Sequence, residues 1–321
     1  MPHNVARRLV LAALAATPLS VFAQPYPSAP ITLVVPFAAG SGTDAVARIV
    51  GQKLSERLNQ PVLIDNKPGA NAQIAAEAVV KAKPDGYTLF MTTNTSHSAN
   101  PSLYKKLRYD PIKDFTPVAR VGELPFALVV GNALPVKSMR DLIIYAKSNP
   151  NKLSYGTPNS TSLVAMETIK RIAGLDIVAV PYKASPQAMT DLIAGSIQVY
   201  VSDLGSGMSM MKAERVRTLA ITTARPSPLL PNVPPVAEAV PGFDLTSWNG
   251  IFGPAGMPPA VVDRLNKELQ VVLADKAVQD KLFQLGFQVW PSRTPAEFAT
   301  YVSQQLTHWS TLIKQADIEP E

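Results

Sequence analysis

The sequence contains no cysteine and only three histidines in 321 residues. The lack of cysteine excludes disulfide bonds, thiol nucleophiles and cysteine-based zinc sites. It is compatible with export, because a chain of this length buries enough apolar surface to fold without disulfides. With so few histidines and no cysteine, we expect the protein to use no metal and no cofactor.

The sequence also lacks a long block of lysines or arginines and the short motifs of several enzyme classes. Its formal net charge is +6, but the basic residues are spread along the chain. We therefore expect no nucleic-acid partner. The G-x-S-x-G, P-loop and H-E-x-x-H patterns are absent, which disfavours the main hydrolases, nucleotide hydrolases and zinc proteases.

The first 23 residues differ in character from the rest of the chain. Arg7 and Arg8 precede an apolar run over 9–16, and 21–23 places small residues before a cut at Gln24. This pattern predicts a cleaved signal peptide and a periplasmic location. The alternative, an uncleaved membrane anchor, needs about 20 apolar residues. No long apolar run follows, so we expect the mature chain to be soluble.

Short β-branched runs alternate with helical patterns along most of the chain. Residues 31–35, 62–65 and 87–93 are predicted strands, and a helix is predicted near 71–82 between the last two. The same alternation of strand and helix patterns begins again over 138–222. Strands alternating with helices predict an α/β fold with mainly parallel sheets, and the restart predicts a second lobe.

The loop at 37–44 joins the first strand to a helix and is the strongest local signal. Gly40 and Gly42 let a ligand approach the backbone closely, and Ser41 and Thr43 are residue types that cap helices. The free N–H groups of a helix start attract anions, so a carboxylate would fit there. The alternative is that Ser41 or Thr43 only caps the helix.

The same loop also matches a dinucleotide-binding pattern. Residues 40–45 read G-x-G-x-x-A, and Asp65 follows at the end of the next strand. Three features disfavour a nicotinamide enzyme. Residues 36–39 separate the strand from the first glycine. Asp44 places a negative charge in the turn that would have to bind the cofactor's pyrophosphate. Export removes the chain from the cytoplasmic cofactor pool.

Four further segments carry candidate ligand contacts. A row of small polar side chains over 92–97 is either a ligand rim or an ordinary polar loop. Residues 156–162 repeat the chemistry of the first loop in the second lobe and either bind the ligand or only cap a helix. Lys183 either meets an anion or faces solvent, and Asp203 accepts a ligand amino group, a ligand hydroxyl or a backbone amide. His97 leaves open an exported, hydrolase-like enzyme acting on a small carboxylate.

Segments spread over nearly the whole mature chain resemble a known family. The similar segments are 31–44, 47–58, 60–62, 66–70, 83–89, 155–158, 180–183, 230–235 and 241–243. They resemble the periplasmic solute receptors of tripartite tricarboxylate transporters, known as the Bug family. The resemblance implies a type 2 periplasmic-binding fold, with two lobes joined by two crossing strands and a cleft between them.

The β-rich stretches 118–131 and 245–252 are the candidate crossing strands. The expected organisation is a signal peptide over 1–23, lobe 1 over 24–124 plus 246–321, and lobe 2 over 125–245. The resemblance implies a monomeric receptor without enzymatic activity. It would capture a small organic carboxylate and deliver it to the inner-membrane permease subunits of the transporter.

The resemblance and the local patterns together assign a set of ligand-binding residues. They are Phe37, Ala39, Gly40, Ser41, Gly42, Thr43, Asp44, Asn94, Thr95, Ser96, Gly156, Thr157, Asn159, Ser160, Thr161, Ser162, Lys183, Ala184, Ser185 and Asp203. The chain departs from the family pattern at 40–42, 159–163 and 184–185, where glycines are common in the family. The identity of the acid (tricarboxylate, dicarboxylate, amino acid or aromatic acid) therefore stays open.

Overall fold

The computed structural model describes residues 26–321, so the predicted signal peptide at 1–23 lies outside the described residues. The strands are β1 Ile31–Val35, β2 Val62–Asn66, β3 Thr88–Thr93, β4 Phe115–Leu124, β5 Phe126–Gly131, β6 Ser154–Thr157, β7 Val178–Pro181, β8 Val199–Asp203, β9 Val216–Ile221, β10 Ser247–Pro254 and β11 Gln288–Val289. The helices are α1 Gly42–Leu58, α2 Gln73–Val80, α3 Asn100–Leu103, α4 Met139–Ser148, α5 Ser160–Ala173, α6 Ser185–Ala194, α7 Leu204–Lys212, α8 Pro259–Ala274, α9 Lys276–Gln284 and α10 Pro295–Gln315. Three short turns are also helical: Ala70–Ala72, the π-helix Thr95–Ala99 and Val236–Glu238.

These strands form two mixed sheets. The first sheet has the order β11-β4-β10-β3-β1-β2, and the second has the order β7-β6-β8-β5-β9. β1 pairs in parallel with β2 and β3, and β6 pairs in parallel with β7 and β8. The α/β class is therefore confirmed, with each sheet built partly from strand–helix–strand units.

The expectation of mainly parallel sheets is wrong. Each sheet contains one strand that arrives directly from the other sheet, β5 in the second and β10 in the first. Each of these strands runs antiparallel to both of its neighbours. Only Pro125 separates β5 from β4, which lies in the first sheet, so the chain enters the second sheet here without a crossover helix.

The two crossing strands are covered on both faces. Every residue of β5 and of β10 is buried. Both strands read as nearly continuous apolar or small residues, which is typical of strands without a solvent-facing side. The interruption at Pro125 that the sequence predicts is confirmed as the point where the chain leaves the first sheet for the second.

Helix caps position the strand-to-helix loops. The Ser41 hydroxyl accepts from the Asp44 amide, the Asn159 side chain accepts from the Ser162 amide, and the Asp203 side chain accepts from the Ser206 amide. Each cap satisfies an amide that lacks an intrahelical partner. α7 was not predicted from the sequence, because two glycines near its start lower its intrinsic helix propensity.

No helix within residues 26–321 is both long enough and apolar enough to cross a bilayer.

Candidate functional site

A cavity of about 20 Å³ lies where loops of the first sheet meet loops of the second sheet. It is lined by Phe37, Ser41, Gly42, Thr43, Thr93, Thr95, Leu124, Phe126, Asn159, Thr161, Ser185, Asp203 and Ser247. Hydroxyl groups make up much of this wall, and Asp203 is its only ionisable side chain. The cavity as it stands has room for about one water-sized group among these hydrogen-bonding side chains, so a larger polar guest needs the loops to move apart.

The first residues of four helices line this cavity. Ser41, Gly42 and Thr43 begin α1, and Asn159 and Thr161 begin α5. Ser185 is the first residue of α6, and Asp203 caps α7. Helix N-termini carry partial positive charge and free amide donors. Their convergence favours an anionic guest although no lysine or arginine lines the wall.

The contact between Gly42 and Asp203 brings α1 and α7 together. The Gly42 amide lies within hydrogen-bonding reach of the Asp203 carboxylate. That carboxylate also accepts from the amide and the hydroxyl of Ser206, both at 2.7 Å. Asp203 is 4% exposed, and burial raises the pKa of its carboxyl group, although the bonds from Ser206 and Gly42 oppose the rise.

Asp44 lies beneath the cavity and does not line it. Its carboxylate accepts from the Gly40 amide at 2.9 Å, from Arg48 Nε at 3.0 Å and from Asn66 Nδ2 at 3.0 Å. Burial alone would raise the pKa of Asp44, but these hydrogen bonds and the Arg48 charge outweigh it and hold the pKa below its usual value. Asp44 therefore holds the loop at 37–44 in place through its bond with the Gly40 amide and does not contact the cavity. Ala39 and Gly40 are exposed at the rim.

Asn94 and Thr95 connect the two sheets through hydrogen bonds. Asn94 Nδ2 donates to Thr161 Oγ1 at 3.0 Å, and Ser160 Oγ donates to Thr95 Oγ1 at 2.9 Å. Ser247 Oγ donates to Asn94 Oδ1 at 2.5 Å. Asn94 and Ser160 thus join opposite sides of the cavity without lining it, whereas Thr95 and Thr161 do both.

The remaining predicted contacts lie outside the cavity wall. Ser96 bonds to Thr92 and His97, and Ser162 bonds to Asn159 and Val201. Thr157 donates to Val180, Gly156 is buried beside Ile197, Ala184 precedes α6, and Lys183 is exposed. A direct role of these residues in ligand binding stays a prediction. Nine of the predicted residues do line the cavity.

The assigned ligand-binding set omits four lining residues: Thr93, which lies in the candidate rim over 92–97, and Leu124, Phe126 and Ser247. Each stands at an end of β3, β4, β5 or β10. Three of them lie where the chain crosses between the sheets. The break at Pro125 was a usable signal, because a crossing strand must pass the junction that holds the cavity.

His97 is enclosed by aromatic side chains and lies away from the cavity. Its ring stacks on Phe252 with centroids 4.0 Å apart and contacts Phe115 at 4.6 Å. Ser96 Oγ bonds to its Nδ1 at 2.9 Å. Burial lowers the pKa of His97 to about 3. A neutral, enclosed imidazole cannot reach a guest in the cavity, which removes the basis of the hydrolase-like hypothesis.

No group of three or more metal-binding side chains occurs among residues 26–321. The Asp65 carboxylate, which a nicotinamide enzyme would need for the ribose, instead pairs with Lys67 at 2.8 Å.

The sequence profile of the "Tripartite tricarboxylate transporter family receptor" matches residues 46–318. The chain belongs to this receptor family. Members of the receptor family are solute-binding proteins rather than enzymes, and they are periplasmic. The profile covers every strand except β1, and it covers the four helices whose first residues line the cavity, except residues 42–45 of α1.

Solved structures of receptor-family proteins share this fold. A Rhodopseudomonas palustris protein, Rpa4515 with adipate, is 36% identical with a TM-score of 0.89 over 92% of this chain and 100% of its own. Periplasmic binding protein BugD is 32% identical with a TM-score of 0.88 over 92% and 100%. MatC from Rhodopseudomonas palustris with bound malate is 31% identical with a TM-score of 0.85 over 90% and 100%. The Bug-type periplasmic-binding fold is therefore confirmed.

Proposed function

We propose that this chain is an exported receptor that binds a small organic carboxylate between two lobes and delivers it to the permease of a tripartite tricarboxylate transporter. The observation that supports this most strongly is the convergence of four helix N-termini on one hydroxyl-lined cavity. Such a wall offers amide and hydroxyl donors to an anion without a cationic side chain. The similar proteins with adipate and with malate support the class of ligand.

The two lobes in this proposal follow the two sheets. Lobe 1 comprises residues 24–124 and 246–321, and lobe 2 comprises residues 125–245. The chain passes between them at Pro125, between β4 and β5, and again before β10. A rotation about these two points opens the cavity and breaks the hydrogen bonds that Asn94 and Thr95 make with α5. The lobes open to admit the acid and close when it bridges them.

The carboxylate site uses donors from both lobes. Thr43 and Ser41 approach from α1, and Thr161 and Ser185 approach from α5 and α6. A ligand that contacts only one lobe gains no preference for the closed form, whereas one that contacts both shifts the population toward it. The permease would then recognise the closed receptor.

Three further parts of the proposal concern the cell. The signal peptide over residues 1–23 directs export, so N-terminal sequencing of the exported protein should begin at Gln24. The mature receptor is a monomer, which light scattering after gel filtration tests. Delivery to the permease is tested by whether deleting the receptor abolishes uptake of the bound acid in the producing bacterium.

A thermal-shift panel of succinate, malate, adipate, citrate, aspartate and benzoate tests the function itself. An acid at about 100 times its dissociation constant should stabilise the fold by about 2.7 kcal/mol. The variant Thr161→Val should reduce the shift, whereas Thr300→Val, in an exposed position on α10, should not. If no carboxylate raises the melting temperature, or if a stabilising acid is chemically converted, the proposal is wrong.

A further inference from the structure

Asp203 is a buried carboxylate at the position where a carboxylate ligand would enter. It lines the cavity and lies against the first amide of α1. A side chain at residue 42 would overlap Asp203 Oδ1, so the carboxylate sits directly on the helix start. The start of α1, one of the four helix starts that attract an anion to the cavity, is therefore already next to one negative group of the protein.

No cation balances this carboxylate in residues 26–321. None of the described ion pairs includes Asp203. Its hydrogen-bond donors are the Ser206 amide and the Ser206 hydroxyl, and the Gly42 backbone lies against it. An anion brought beside Asp203 therefore meets a like charge in a confined space.

The other ionisable groups around Asp203 do not remove this conflict. On α1, Asp44 is held ionised by Arg48, so the two form an internally balanced pair. On β8, burial raises the pKa of Tyr200, and its phenol stays neutral. The neighbours on β5 and α6, Phe126 and Ser185, do not titrate. Lys183, in the loop before α6, is exposed.

Two carboxylates that share one site cannot both stay ionised at low cost. We infer that a carboxylate ligand binds this receptor together with one proton, which it shares with Asp203 in a hydrogen bond. The proton comes from water or a buffer acid, one O–H bond forms on either carboxyl group, and no bond of the protein breaks. This inference rests on the proposed function, because it needs a carboxylate in the cavity.

Burial already favours the protonated form of Asp203, since it raises the pKa of that carboxyl group. The free energy needed to add the proton is therefore smaller than for an exposed aspartate. The shared proton also turns the acceptor-only carboxylate of Asp203 into a donor toward the ligand, as carboxyl groups donate only when protonated. Proton uptake makes ligand capture favourable at mildly acidic pH and ligand release favourable at higher pH.

Titration calorimetry with succinate, malate and adipate in phosphate and in Tris measures the proton count at pH 7. For the tightest-binding of the three, we expect uptake approaching one proton. The dissociation constant should rise by up to tenfold per pH unit between pH 6 and pH 8, where a free carboxylate no longer titrates. Binding without proton uptake and with a constant affinity over this range would overturn the inference.

The variant Asp203→Asn keeps a helix-capping side chain and removes the titratable group. It should bind the same acid with no proton uptake and a pH-independent affinity. Asp275→Asn is the matched control, because Asp275 also caps a helix but lies outside the cavity, and it should keep the wild-type proton count. If Asp203→Asn still takes up a proton on binding the acid, the inference is wrong. If this variant does not fold, the inference is tested by the number of protons that the wild-type protein takes up.

Failure of the two proposals can be told apart. If none of the three acids binds and the wider panel gives no thermal shift, the receptor function fails and the proton inference falls with it. If an acid binds without a proton, the receptor function stands and only the role of Asp203 is wrong.

Discussion

Gly205 on α7 packs directly against Gly42 on α1. A Cβ atom added to Gly205 would come within 2.7 Å of the Gly42 Cα atom, and one added to Gly42 would come within 2.7 Å of Leu124 Cδ2. Neither backbone can move away without separating the two helix starts that line the cavity. The absence of side chains at these two positions therefore sets how closely the two sheets approach.

Gly42→Ala should weaken carboxylate binding while leaving a folded protein. The added methyl group overpacks the contact with Asp203 and Leu124, and overpacking costs about 1–3 kcal/mol. We expect the affinity of the tightest-binding acid to fall by about 5- to 150-fold, as measured by calorimetry. Small-angle scattering should show a larger radius of gyration with that acid present.

Gly195→Ala controls for a general loss of stability. Gly195 has φ +84° and no atom within 4 Å of an added Cβ, so alanine brings backbone strain without overlap. This variant should unfold at lower temperature and keep its affinity. Equal affinity losses in both variants would contradict the role of Gly42 in the approach of the sheets.

Asn94 and Thr161 should be energetically coupled across the cavity. Their side-chain hydrogen bond joins the first sheet to α5 and is buried. Such a bond contributes about 1 kcal/mol. A double-mutant cycle with Asn94→Ala and Thr161→Val, measured by urea unfolding, should return a coupling of that size. The cycle of Asn94→Ala with Ser138→Ala, a helix cap elsewhere, should return none.

Three successive residues in the turn before α2 have a left-handed backbone conformation, although none of them is glycine. Ala70, Asn71 and Ala72 have φ values of 44°, 49° and 73°. The left-handed conformation costs about 1–2 kcal/mol for a residue with a side chain. Asn71 is held there by its hydrogen bonds with Asn100 at 2.9 and 2.8 Å. The strain is thus maintained by contacts between the turn and the segment that follows β3.

Ala70→Gly should relieve part of this strain. Glycine loses about 0.5–1 kcal/mol through its greater freedom in the unfolded chain, so the net change should range from neutral to about 1 kcal/mol of stabilisation. Ala296→Gly, at an exposed right-handed helical position on α10, should destabilise by about 0.5–1 kcal/mol. Urea unfolding of both variants measures the difference. A destabilisation of Ala70→Gly equal to that of Ala296→Gly would show that the turn is unstrained.

His97 should make the fold less stable as the pH falls. Burial lowers its pKa to about 3 in the folded protein, whereas in the unfolded chain the pKa is about 6.5. Between these values the unfolded chain binds the extra proton, so the unfolding free energy falls by up to about 1.4 kcal/mol per pH unit. His97→Phe should flatten the profile between pH 6.5 and pH 4.

His308→Gln is the control for this titration, because His308 is exposed on α10. The variant should keep the wild-type dependence of the unfolding free energy on pH. Equal slopes for wild type and His97→Phe would contradict the buried neutral state of His97.

Much of the fold is predictable because its signals are local. Ser41, Asn159 and Asp203 cap helices through bonds to residues three positions ahead. The pattern of strands, caps and helical spacing therefore determines the strand-to-helix loops before α1, α5 and α6, but not the one before α7, where glycines hide the helix. Pro125 marks the crossing between the sheets for the same reason, since proline cannot donate to a ladder. The directions of β5 and β10 within their sheets were not predictable, because pairing joins segments far apart in the sequence.

The candidate site was predictable in its parts and not in its arrangement. The sequence by itself determined that Ser41, Asn159 and Ser185 each stand at or beside a helix start. Only the tertiary structure decided that Asp203 caps a fourth helix, that all four helix starts face one cavity, and that Asn94 bonds to Thr161. The physical reason is the range of the interactions. Caps act over three residues of one chain segment, whereas the cavity is set by packing between two sheets.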